Sequence, residues 1–241
     1  MRNSKEFEEK HHLTVFQNFT VIFTNKKFNI INIIRSIMHG VNTAIHYWCA
    51  DYMRHVIGVN DSKIIFISYT IVCVLGPFGA VFINSLVTSC LKGGYDKPNA
   101  PYLLFGLHVI SSILGLILPF VVNLYSFCFI LMSFLIFDAS DLTFVNGLIM
   151  NSVSSDLKGN AFSITNMFSM LITSGPAPLI YGAVNDYFKP YGHQNYGMLF
   201  LMICNSFVLI IMGYFICVSN QDKKKNEKLI EDEGEEMEDK E

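Results

Sequence analysis

Five polar residues fall inside the first long apolar stretch of this chain: Asn32, Arg35, His39, Asn42 and His46. The steps between them are 3, 4, 3 and 4, so all five share one narrow stripe of a single helix. A guanidinium, two imidazoles and two amides in register can bind an anionic group, pass protons, or hold neighbouring helices by hydrogen bonds. Two readings therefore stand side by side. The stripe lines a wet path for solute or ion, or it is a polar seam buried between helices. Asn32 and Asn42 alone fit either; the added Arg35, His39 and His46 favour the path.

A second pair, Asp138 and Asp141, is three residues apart and hence adjacent on a helix. Apolar residues flank both: Phe134-Leu135-Ile136-Phe137 before, Leu142 to Met150 after. Two carboxylates this close do not both stay ionised without a cation nearby, so one of them can carry a proton. The alternative is a fixed ion pair between one aspartate and Arg35. Counting helix rise from the expected ends puts Arg35 roughly 10 Å, His39 roughly 16 Å, Asp141 roughly 14 Å and Asp138 roughly 18 Å from one face. The expectation is that Arg35 meets Asp141 and that His39 lies near Asp138. His108, alone in another apolar run, reads as a packing or hydrogen-bonding residue.

These residues need positioning elements, and composition says what kind. About half of the 241 residues are apolar, and 15% are Asp, Glu, Lys or Arg, against roughly 25% in soluble domains. Ten of the 20 acids and five of the 17 bases crowd into the last 22 residues. The rest of the chain, rich in Phe, cannot cover a water-facing surface. A soluble enzyme, a disordered chain and a nucleic-acid binder are excluded, leaving an all-α protein in a lipid bilayer. Cys49, Cys73, Cys90, Cys128, Cys204 and Cys217 lie in apolar runs with no metal-type spacing and act as small hydrophobes. No metal or other cofactor is expected.

Six stretches reach the roughly 20 residues that span a hydrocarbon core: about 28–50, 64–91, 102–122, 125–150, 160–184 and 195–218. With the N-terminus cytoplasmic, 13 Lys and Arg fall in inside segments and three (Arg54, Lys63 and Lys189) outside, so both termini are expected on the cytoplasmic side. Residues 1–27 form a cytoplasmic or interfacial segment in which Phe16, Phe19 and Phe23 recur at helical spacing. Residues 28–218 form the bundle. Residues 219–241, a Lys cluster followed by an acidic run, read as a disordered tail.

Gly76-Pro77-Phe78-Gly79 interrupts the second span, and Gly175-Pro176-Ala177-Pro178, followed by Gly182, interrupts the fifth. Such residues kink helices and let them approach closely. The charged helices open each triplet and the interrupted ones follow. That internal symmetry suggests an inverted three-plus-three repeat with a site between the repeats.

At these residues the chain resembles the C-terminal six helices of a major facilitator superfamily transporter, most closely its Spinster-like branch. The similarity rests on Gly76-Pro77-Phe78-Gly79 running through Asn84 to Lys92 and Lys97. It rests also on the Lys158-Gly159-Asn160-Ala161 entry and on the exit from Pro178 through Gly182 to Asp186. The chain departs from the motif in having Asn84 where an acid is usual and Lys92-Gly93-Gly94-Tyr95 in place of an Arg-rich loop, which weakens the implied charge latch.

The resemblance implies one half of a twelve-helix carrier, the bilayer as solvent, and a second six-helix half as partner, either a missing N-terminal half or another copy. It implies that the protein moves a small organic or lipid-like solute by alternating access, with possible proton coupling through Asp138 or Asp141. Residues 1–27 would then match the linker between halves. A non-transporting scaffold or regulatory subunit is the alternative. An enzyme is not expected, since no HExxH or GxSxG motif occurs.

Overall fold

The computed structural model describes residues 15–91, 95, 97, 99–191 and 195–238, with the side chains of Val15, Phe16, Asn18 and 222–238 outside that description. The described residues form helices and short connections. They are α1 (Val15–Thr24), α2 (Lys26–His55), α3 (Ser62–Leu91), α4 (Ala100–Ile117), α5 (Leu124–Asn151), α6 (Lys158–Phe168), α7 (Pro176–Phe188) and α8 (Tyr196–Glu238). A π-helical segment, Ser169–Ser174, joins α6 to α7, and a 3-10 turn, Leu118–Phe120, ends α4.

Five helical stretches are long and apolar enough to cross a membrane: Ser62–Leu91, Ala100–Phe120, Leu124–Asn151, Ser155–Tyr191 and Tyr196–Gln221. Each overlaps a span expected from sequence. Their outward faces carry bare hydrophobic side chains, such as Phe78 at 73% and Leu179 at 75% exposure, which water would penalise and acyl chains would not. Helix α2 has 30 residues, enough length for a sixth crossing, but its polar stripe sets it apart from these five. It packs against α3, α5, α7, α8 and the π segment.

The apolar interior divides in two. One cluster gathers Ile34 and Met38 of α2, Leu104 of α4, Phe144 and Val145 of α5, Ile164 of α6 and Val208 of α8. The other gathers Val41 and Ala44, Leu118, Phe134 and Leu135, and Met202. Between them the chain places polar side chains on four helices: the half-buried His39, and the buried His108 with Ser111 and Ser112, Asp138 with Ser140 and Asp141, and Asn205. A polar layer is thus held between two greasy ones.

Several local features follow from sequence. Asn25 caps α2, its side chain accepting from the Phe28 amide at 3.1 Å, and so separates α1 from α2. Ile22 of α1 is buried, and Phe19 and Phe23 stack on each other. The Phe16 side chain lies outside the described residues. Two expectations are corrected here. Helix α3 runs through Pro77 as continuous helix from Ser62 to Leu91, so Gly76-Pro77-Phe78-Gly79 does not interrupt it. Gly76 and Gly79 instead admit α5: a β-carbon on Gly79 would lie 2.6 Å from Ile136. And α8 continues as backbone helix to Glu238, across the segment read as a disordered tail. Lys, Glu and Leu are strong helix formers, and an existing helix extends without a new nucleus.

Candidate functional site

The stripe on α2 holds together as one face, but its members turn to four neighbours. Arg35 is 4% exposed and spends its donors on α5, α6 and the π segment. Its Nε donates to Asn146 Oδ1 at 2.6 Å, and its other nitrogens to Asn166 Oδ1 at 2.6 Å, Ser169 Oγ at 2.8 Å and the Thr165 carbonyl at 3.3 Å. The Phe162 ring lies 5.9 Å from the guanidinium carbon. His39 Nδ1 is 2.6 Å from Ser174 Oγ. Asn42 donates to Asp138 Oδ2 at 2.9 Å. His46, exposed, meets the Tyr69 hydroxyl on α3 at 2.7 Å. Asn32 is buried, and its Oδ1 has no hydrogen-bond partner among the described residues.

Arg35 and Asp141 do not meet, and neither do His39 and Asp138. The reason is register. Asn42 pairs with Asp138 and Arg35 with Asn146, so α2 and α5 run antiparallel with Arg35 level with a residue five positions beyond Asp141. That offset is about 7 Å along the helix. His39 and Arg35 face the π segment, which runs parallel to α2.

Asp141 instead pairs with His108, the residue read as solitary. His108 Nδ1 lies 2.9 Å from Asp141 Oδ2, and both side chains are fully buried. His108 Nε2 lies 3.0 Å from the Asn205 carbonyl. A carbonyl oxygen only accepts, so Nε2 carries a hydrogen. The Nδ1–Oδ2 contact then holds one further hydrogen, either as imidazolium and carboxylate or as imidazole and carboxylic acid. The second oxygens of Asp138 and Asp141, the Ser111 and Ser112 hydroxyls and the Asn205 amide are buried without a partner among the described residues. Orphaned polar atoms are costly in a packed interior, so their concentration in one layer marks it as special.

The π segment explains the Arg35 site. Its Gly175 amide reaches five residues back to the Met170 carbonyl at 3.1 Å, and α7 restarts at Pro176, which has no amide hydrogen to give. The expected interruption at Gly175, Pro176 and Pro178 is therefore present. The wider turn swings Ser169 and Ser174 onto α2. Pro178 presents its carbonyl to Trp48 Nε1 at 2.8 Å, and Gly182 lets the Trp48 ring pass. Gly40 does the same for the π segment, where a β-carbon would lie 2.8 Å from Thr173 Cβ.

Sequence reasoning missed the pairing of His108, and with it Ser111, Ser112, Asn205 and the amides Asn146 and Asn166. His108, Ser111 and Ser112 are spaced 3 and 1 apart, a small polar face on α4 that could have drawn notice. Comparisons of the chain with protein-family models, with curated proteins and with solved structures give no match.

Proposed function

We propose that this chain is a six-helix half of a membrane transporter that moves a small organic or lipid-like solute bearing a negative group by alternating access. The observation that carries the reading is Arg35. It is buried, yet its partners are neutral amides, a hydroxyl and a carbonyl, and it makes no ion pair among the described residues. A buried charge without a counter-charge is costly. An anionic group on the solute would supply one. The amide nitrogens of Asn146 and Asn166, whose oxygens Arg35 engages, are further donors for it.

In this reading α2 is the sixth span. It tolerates polar residues because other helices surround it. The 13-to-3 bias of Lys and Arg supports cytoplasmic termini. The polar path lies at the contact of α2, α6 and the π segment, and a second six-helix half would close it. Rearrangement at the π segment would open and close the Arg35 site.

The test uses the full chain in lipid nanodiscs and a panel of mono- and dicarboxylates and single-chain acidic lipids. At least one anion raises the melting temperature of the wild type and not of Arg35→Gln. The same anion enters proteoliposomes of the wild type alone or with a second half. No anion-dependent shift anywhere in the panel would sink the reading.

One observation favours a non-transporting scaffold. His39, Asn42 and His46 already have partners on other helices, as a sealing seam requires. Single cysteines at 32, 35, 39, 42 and 46, in a background with the native cysteines replaced, separate the two. Labelling by a membrane-impermeant thiol reagent supports a wet path; complete protection supports the seam.

A further inference from the structure

We propose that His108 and Asp141 form a closed proton site between α4, α5 and α8, separate from the Arg35 site, whose single shared proton holds these three helices together. It deepens the transport reading by placing a coupling ion, but stands on its own geometry.

The shared hydrogen follows from the contacts on both sides of the ring. Nε2–H is committed to the Asn205 carbonyl on α8, so that ring hydrogen links α4 to α8. The hydrogen between Nδ1 and Oδ2 links α4 to α5. If it leaves to water as hydronium, a neutral imidazole and a carboxylate remain, with one positive charge less in the pair. The bare Nδ1 lone pair then points at a carboxylate oxygen 2.9 Å away with no hydrogen between. That contact is repulsive in a buried site. Loss of the proton therefore pushes α4 off α5, and separation is also what admits the water that receives it. Proton binding and helix closure are one event.

One buried acid, a turn away from Asp141 on α5, stands close enough to interact with the pair. On α5 the neighbouring titratable group is Asp138, tied to Asn42 of α2. Arg35 and His39 of α2 are engaged with α5's Asn146, with α6 and with the π segment. From α8 the nearest ionisable side chain in sequence is Cys204, and α3 offers Cys73, which sits beside His46. Helix α6 carries Lys158 at its first residue, near the end of α5. The hydroxyls of Ser111 and Ser112 and the Asn205 amide, without partners among the described residues, are buried in the same layer, ready to take up Asp138, Asp141 or water when the pair opens.

Hydrogen–deuterium exchange on the full chain in nanodiscs tests this. After correction for intrinsic rates, exchange across 104–112 and around Asn205 is expected to rise by about tenfold per pH unit between the titration of the opened pair and the higher titration of the closed pair, the slope that linkage gives for one proton. The closed state binds the proton, so closure is complete at low pH and lost as pH rises. Asp141→Asn places an amide hydrogen on Nδ1 at every pH, keeps the fold and is expected to flatten the slope. His108→Gln, whose amide donates to Asp141, flattens it as well. A wild-type slope no steeper than in these variants overturns the proposal. So does exchange that follows sodium at fixed pH but not pH at fixed sodium. No solute enters this measurement, so a blank uptake assay would remove the transport reading and leave the proton site standing.

Discussion

Asn42 shows how a single amide can govern a buried acid. It donates to Asp138 Oδ2, and the other oxygen of that carboxyl has no partner among the described residues. Asn42→Ala strips Asp138 of its donor and should lower stability by about 1–3 kcal/mol. Asn42→Asp, which faces carboxyl with carboxyl, should match the native protein only at acidic pH. Thermal unfolding in one detergent at two pH values measures both. That Asn42 and Asp138 belong to one polar interior was legible from their types and spacing. Which residue each one touches was not. A stripe on a helix says that the face is polar, but a shift of little more than one turn between helices exchanges every partner. Arg35 met Asn146 instead of Asp141 for that reason. His108 does hydrogen-bond, as one of its two readings had it, but its partner was not legible, because a lone residue in one helix carries no periodic signal and Asp141 sits 33 positions away.

At the scale of elements, close approach does the positioning. Gly40 lies against Thr173 Cβ and backbone, neither of which can step aside. Gly40→Ala should therefore pry α2 from the π segment and cost about 1–3 kcal/mol. Gly79 lies against the Ile136 side chain, whose Cγ1 and Cδ1 would both be 2.6 Å from a β-carbon; that side chain has to shift but can do so further than backbone can, so Gly79→Ala should cost less than Gly40→Ala. Comparing unfolding midpoints of the two variants tests the ranking. Five spans were readable because a run of apolar residues longer than 18 has few other uses. Gly175-Pro176 announced a break correctly, and Pro77 announced one that is absent. A proline at a helix surface loses one amide hydrogen bond and leaves the rest of the ladder in place. At Gly175 two prolines and a glycine coincide, and the chain widens by one residue into a π turn.

For the whole molecule, the charge bias makes an independent prediction. A fluorescent protein fused after Glu241 should fold and emit from the cytosol, and an impermeant thiol reagent applied to intact cells should reach a cysteine placed at Asn60 but not one at Asn220. The reverse pattern would invert the topology. The two apolar clusters and the polar layer between them were foreseeable only in part. Sequence marks residues as buried or polar, but the level at which four helices place them depends on the tilt and register of every pair.

Helix α8 runs 43 residues without a break, and Asn205 stands about a quarter of the way along it. From that point to Glu238 is a rod of about 50 Å. Such a rod works as a pointer. A tilt of about 5° where α8 leans on the His108 ring would carry its far end through about 4 Å. The outermost turns would then broadcast, to whatever grips them, an event confined to a few atoms deep in the bundle.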